Sequence, residues 1–187
     1  MAVYQRTSGR KPSYARIIQT LRQGSGLGSL DAANDAKATY IEIPFDCVLT
    51  AIGIAIRDKF NGNMQLGLYR VSNWGLIVAT AVTAVAGLTG DQVNYIAVAP
   101  TFVKAGLYYV AVACDTGYIA ATAGFRYFIA TPDTWFINCV DNATINGAPQ
   151  LTTWMAAAYP LPAVFVPAGW GAQGNGCINF WLEVTVV

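Results

Sequence analysis

The last residues of the chain, Cys177 to Val187 (CINFWLEVTVV), set Ile178, Phe180, Leu182, Val184 and Val186 against Asn179, Trp181, Glu183 and Thr185. An apolar period of two places alternate side chains on opposite faces of an extended chain, so this run buries one clean face only as a strand. It predicts a terminal strand with one face in a core, and Trp181 on the other face predicts that this side is covered as well. The same texture fills the chain from Thr39 onward, as short β-branched and aromatic runs punctuated by turn residues. Ile52, Ile54 and Ile56 alternate with Gly53, Ala55 and Arg57; Asn61-Gly62-Asn63 then offers residues that tolerate positive φ, which predicts a tight hairpin. Beyond it Met64, Leu66 and Leu68 face one way and Gln65, Gly67 and Tyr69 the other. Ser72 to Gly75 reads as a turn and Leu76 to Val82 as the next strand. Further strands are predicted at 92–98, 107–114, 126–129, 134–139, 163–166 and 177–187. With no helical pattern in the body and no fixed repeat, the fold class is all-β, an antiparallel sandwich or barrel.

Residues 1–38 differ from this body, and they are read as an N-terminal arm preceding a sandwich domain of residues 39–187. Residues 1–30 hold five basic side chains (Arg6, Arg10, Lys11, Arg16, Arg22) and no acid, whereas residues 31–187 hold six basic and ten acidic ones. Within the arm, Ile17, Ile18 and Leu21 fall at helical spacing and Gly24 to Gly28 (GSGLG) follows as a stop and linker, predicting a short helix. One amphipathic turn does not fold alone, so the arm is expected to order itself on a partner. Its residues Arg6, Arg10, Lys11, Arg16, Ile17, Ile18, Leu21 and Arg22 are the candidate partner-binding set. Five charges without interleaved stacking aromatics do not predict direct nucleic-acid binding.

Composition narrows the function classes. Apolar residues make up 55% of the 187 and charged ones only 11%, which leaves little solvated surface for a chain of this length. A lipid environment is one explanation, but a spanning helix needs about 20 mainly apolar residues. The uncharged stretch from Asn142 to Leu182 is broken by Pro149, Pro160, Pro162 and Pro167, and Gly75 to Leu88 offers only 14 residues of strand-like composition. No apolar signal core follows the basic N-terminal residues. The expectation is therefore neither secretion nor membrane insertion but extensive burial against other protein, first of all other copies of the chain.

Catalytic chemistry has little to work with. The chain contains no histidine, which removes the usual general base and the Ser-His-Asp and Cys-His constellations. Only Lys37, Lys59 and Lys104 are left as body lysines to activate a nucleophile. Glu42 with Asp46, or Asp133 with Asp141, would suit a glycosidase pair by spacing alone; strand-end and turn roles describe them better. Asp115 in Cys-Asp-Thr-Gly lacks the neighbouring acids of a calcium loop. Cys47, Cys114, Cys139 and Cys177 form no Cys-x-x-Cys pair and read as small buried side chains in a reducing compartment. No catalytic residue, metal site or cofactor is predicted. The functional hint of substance is aromatic: of five Trp, Trp74 and Trp170 sit beside glycines in predicted loops, where an indole can stack on a sugar or insert into a neighbouring subunit. Trp135, Trp154 and Trp181 read as core or subunit contacts.

Between residues 40 and about 115, YIEIPFDCVLTAIGIAI, then LGLYRV, a turn, and FVKAGLYYVAVACDT form a pattern that resembles the jelly-roll or β-sandwich modules of tailed-bacteriophage virion proteins. The later TWMAAAYPLPAVFVPAGW, with its spaced prolines, resembles the closing part of such modules. About two thirds of the chain is covered, by strand-and-turn motifs that other carbohydrate-binding sandwiches share. The resemblance implies a jelly-roll-like sandwich in a symmetric virion assembly, commonly a homotrimer. The function expected from it is capsid decoration or cementing, with the major capsid protein or another virion protein as partner, no enzymatic activity, and a place in the virion after assembly in the host cytoplasm. A head- or tail-fibre module recognising host-surface saccharide is the alternative.

Overall fold

The computed structural model describes residues 34, 36–58, 61–90, 92–116, 159–166 and 180–187, together with the strand segments 15–19, 26–28, 124–129, 152–155, 169–170 and 176–178. In chain order the strands are β1 (Ala15–Gln19), β2 (Gly26–Gly28), β3 (Ala36–Ile43), β4 (Cys47–Asp58), β5 (Asn63–Arg70), β6 (Leu76–Ala79), β7 (Thr83–Ala84), β8 (Gln92–Val103), β9 (Gly106–Cys114), β10 (Gly124–Ile129), β11 (Thr152–Met155), β12 (Gly169–Trp170), β13 (Gly176–Ile178) and β14 (Phe180–Val186). One 3₁₀ turn, Val85–Gly87, precedes β8. The chain is nearly all β, and two antiparallel sheets pack as a sandwich. The first sheet runs β1-β14-β4-β10-β13, with β2 on β10 and β8 on β4; the second runs β12-β11-β3-β9-β5-β6, with β7 on β5.

The alternation read from sequence decides what each face does. Cys47, Leu49, Ile52, Ile54 and Ile56 of β4 and Phe180, Leu182 and Val184 of β14 are buried against Ile41, Ile43, Met64, Leu66, Leu68, Val110 and Val112 of the opposing sheet. Each such side chain contributes roughly 1.5–3 kcal/mol by leaving water, so this inter-sheet layer is the main source of stability. Thr50 interrupts the alternation: β4 shifts register against β8 between Leu49 and Ala51 and against β14 between Glu183 and Val184, and the Thr50 hydroxyl donates to the Glu183 carbonyl at 3.1 Å. A bulge here keeps Leu49 and Ile52 both inward although they are three positions apart.

Four local expectations need correction. The segment predicted to form a short helix carries β1 instead, paired with β14 so that Ile18 lies opposite Leu182 and packs on the inter-sheet core. Adjacent β-branched isoleucines next to an unpaired strand edge gain more from that ladder than from one isolated helical turn. The GSGLG stretch, read as linker, contributes Gly26–Gly28 as β2 on β10. And Asn61 to Asn63 does not close a hairpin: β4 belongs to the first sheet and β5 to the second, so the chain crosses the sandwich there. The apolar faces of β4 and β5 instead meet in one core from opposite sheets. The strand predicted at 163–166 reduces to a single bridge between Gly75 and Val164. The strand predicted at 134–139 lies outside the described residues.

Candidate functional site: an aromatic layer beneath a proline-bearing strap

A second apolar layer lies on the outer face of the second sheet. There Ala36 and Ala38 of β3, Tyr69 of β5 and Tyr109, Ala111 and Ala113 of β9 are buried together with Leu161 and Phe165, while Tyr40, Trp74, Leu76 and Tyr159 pack at the margin. The cover is the strap of residues 159–166 (YPLPAVFV), which begins with a cis Tyr159–Pro160 bond. Prolines suit this position, because a segment lying across a sheet face has few partners for backbone donors. Two of the donors that remain are matched: Leu161 N–H donates to the Gln65 side-chain oxygen at 2.9 Å, and Phe165 N–H to the Trp74 carbonyl at 2.9 Å. Leu76 N–H donates to the Ala163 carbonyl at 2.8 Å, and the Tyr69 hydroxyl to the Pro162 carbonyl at 2.8 Å.

The small residues of β3 and β9 leave room for rings. Trp74 stacks on Tyr109 with centroids 4.6 Å apart and planes 21° from parallel, and Phe165 lies 6.1 Å away at 28°. Tyr69 meets the edge of Phe165 at 5.5 Å, and Tyr40 that of Tyr109 at 5.6 Å. Trp74 holds its ring there from a backbone φ of 58°, a conformation disfavoured by about 1–3 kcal/mol for a bulky residue. The strain is held by the hydrogen bond from Trp74 N–H to the Arg70 carbonyl at 3.0 Å, by the bond from Arg70 N–H to the Gly75 carbonyl at 3.0 Å, and by the ring stack itself. In a turn written Ser-Asn-Trp-Gly, sequence reasoning would assign the left-handed residue to Asn73 or Gly75; the tertiary stack assigns it to Trp74.

Burial in the aromatic layer and in the inter-sheet core favours neutral groups. Burial pushes the phenols of Tyr69 and Tyr109 well above their ordinary range, with Tyr40 adding to the rise at Tyr109. Desolvation raises the Cys47 thiol to about 11, with Asp46 adding to it, and raises Cys114 further. Both thiols stay protonated near neutral pH and are poor nucleophiles. Asp115 moves the other way. Its carboxylate accepts from Asn63 N–H at 2.8 Å, from the Asn63 side-chain amide at 2.7 Å and from the Thr116 hydroxyl at 2.9 Å, which holds it below its usual range. These bonds clamp the start of β5 to the end of β9. Asp46 likewise accepts from Ala105 N–H at 2.8 Å across the β8–β9 connection. Among the described residues no three His, Cys, Asp or Glu side chains gather to hold a metal ion.

Of the candidate binding residues, Arg16, Ile17 and Ile18 lie on β1 at the edge of the first sheet. Arg6, Arg10, Lys11, Leu21 and Arg22 lie outside the described residues, as do Asp133, Asp141 and Cys139. Trp74 is part of the aromatic layer, and Trp170 sits on β12, opposite Thr153 of β11. The structure therefore does not bring Trp74 and the β1 residues to one place. Sequence reasoning misses the strap and the strained Trp74; the available signal is Pro-Leu-Pro followed by alternating Val164 and Val166. No protein-family model matches the chain, and comparison with curated proteins gives no match.

Proposed function

We propose that the chain is a structural protein of a bacteriophage virion, a jelly-roll-like sandwich that decorates or cements the capsid as a homotrimer. The observation that carries this reading is the pairing of 55% apolar and 11% charged residues with large apolar side chains left outward on a folded sandwich, among them Phe102, Leu107, Val164 and Val166. Such a surface is suited to permanent contact with other protein. The mechanism is mechanical: the basic N-terminal arm engages the major capsid protein or another virion protein, and the sandwich adds buried area across subunit joints. Strand ladders and clamps such as that of Asp115 support a load-resisting role and not turnover.

The test is electron microscopy of particles with and without the protein, combined with co-sedimentation of variants. Density repeating over the capsid lattice is expected. Replacing Arg6, Arg10, Lys11, Arg16 and Arg22 together by Gln is expected to weaken attachment and its salt sensitivity. Density confined to fibres would replace the cementing role with the fibre role, and absence from the particle would overturn the reading.

A further inference from the structure

β8 is an edge strand of unusual character. Over its 12 residues it carries no charge, and among the described strands it pairs only with β4. Natural sheet edges are normally kept from joining other edges by charges, prolines, bulges or shortness. In β8 the proline and the bulge both fall late, at Pro100 and between Ala97 and Thr101. The run from Gln92 to Ala99 has no proline and no charge, and it combines β-branched and aromatic residues, the composition that most readily adds a strand.

We propose that this edge pairs with the β8 edge of a second copy of the chain, antiparallel about a twofold axis through Ile96, joining two sandwiches by one continuous sheet. In such a pair opposed residues share a face, so the axis must pass through a residue and not between two. An axis at Tyr95 sets the Tyr95 rings of the two copies against each other. One at Ala97 places Pro100, which has no N–H, opposite Asn94 inside the ladder. With the axis at Ile96, Tyr95 faces Ala97 of the second copy twice over, Val93 faces Ala99, Ile96 faces Ile96, and Pro100 falls at the end of the ladder. Large side chains thus meet small ones along the outer face, where Tyr95 is 40% exposed. The Tyr95 ring already lies over Gly53, whose added Cβ would come within 2.9 Å of it, so it does not stand up to block an approaching strand. Ile96 packs at the margin of the inter-sheet core, and a second Ile96 extends that core across the axis.

The inference goes beyond the role proposed above and stands without it. A single strand pair buries less than the roughly 800 Å² per partner of a standard interface, so a dissociation constant of about 1–100 μM is expected. The full chain is run in sedimentation velocity across that range, with amide hydrogen exchange over residues 93–99 at low and high concentration. Expected are a concentration-dependent doubling of the sedimenting unit, whether that unit is one chain or the proposed trimer, and exchange protection of alternate β8 amides that rises with concentration. Ala97→Glu places like charges diagonally across the axis and is expected to weaken the dimer at least tenfold, about 1.4 kcal/mol. Tyr95→Lys combined with Ala97→Glu sets an ammonium at position 95 against a carboxylate at position 97 of the second copy. This double variant is expected to restore association to within about threefold of the original. A mass that Ala97→Glu does not alter, a double variant no better than the single one, or β8 protection independent of concentration would each overturn the proposal. The exchange measurement needs no variant, so misfolding of either one leaves the test intact.

Discussion

Replacing Phe165 by Ala tests whether the strap is part of the folded unit or an ornament on it. Phe165 is fully buried, meets Tyr69 edge-on at 5.5 Å and lies near-parallel to Trp74 at 6.1 Å. Truncating a buried Phe removes its transfer energy and leaves a cavity, together about 3–5 kcal/mol. Within that sum, each aromatic pair accounts for about 0.5–1.5 kcal/mol beyond simple area. For a chain of this size 1 kcal/mol moves the melting temperature by about 2–4 °C, so a fall of about 6–20 °C is expected. The control is Val164→Ala one residue away, 51% exposed on the same strap and expected to change stability by less than about 0.5 kcal/mol. Urea denaturation followed by circular dichroism and by tryptophan fluorescence gives both values. If Phe165→Ala costs less than about 1 kcal/mol, or no more than Val164→Ala, the second layer does not contribute to global stability and its description as a core is wrong.

Other perturbations follow from the same geometry. A Cβ on Gly67 would lie 2.8 Å from the Leu161 methyl and 3.1 Å from that of Leu76, so Gly67→Val is expected to cost about 1–3 kcal/mol. Adding Leu161→Ala should make the pair less destabilising than the sum of its parts, which a double-mutant cycle in urea measures. Asp115→Asn should lower stability by about 1 kcal/mol at neutral pH, a figure kept small by solvent around the carboxylate. Because the folded carboxylate titrates below its ordinary range, this difference is present above the unfolded value of about 3.9 and disappears as pH falls through the folded one. Melting curves from pH 7 to pH 2 check it. Cys47 and Cys114 should resist iodoacetamide at pH 8 until urea unfolds the chain, as read by peptide mass mapping. Their raised thiols predict stability that declines from about pH 8.5 upward, where the unfolded thiols ionise and the folded ones do not.

Period-two alternation is legible wherever a strand keeps one face inward throughout. In β14 Phe180, Leu182 and Val184 are all buried, and in β5 the division of Met64, Leu66 and Leu68 from Gln65, Gly67 and Tyr69 matches two different cores. What escapes the sequence are choices settled by distant partners. Ile17 and Ile18 satisfy a helical spacing and a strand equally well, and the open edge of β14 decides between them. Asn61-Gly62-Asn63 satisfies a hairpin equally well, but the placement of β4 and β5 in opposite sheets decides against it. Trp74 takes a positive φ that no local rule assigns to tryptophan, because its ring gains Tyr109 and Phe165 by doing so. Of the candidate binding residues, those in the arm are legible as a charge asymmetry but not as a geometry.

The apolar composition reads as surface hidden by neighbouring subunits, yet the strap shows that part of it is used inside the chain. Ala36, Ala38, Ala111 and Ala113 would line an exposed sheet face in a plain two-layer sandwich; here they are the floor of a second core. Less of the apolar content therefore needs an external partner than the bare percentages imply, and among the described residues part of what remains falls in two patches. Tyr95 and Phe102 lie along the β8 edge, while Val164 and Val166, the latter 64% exposed, lie on the outside of the strap. These two patches belong to opposite sheets. A chain that used only one of them would end as a closed pair, whereas a chain that used both could continue from copy to copy or from copy to shell. Separate substitution at Ala97 and at Val166, compared by mass in solution and by occupancy on particles, distinguishes the surface that joins copies from the surface that joins the shell.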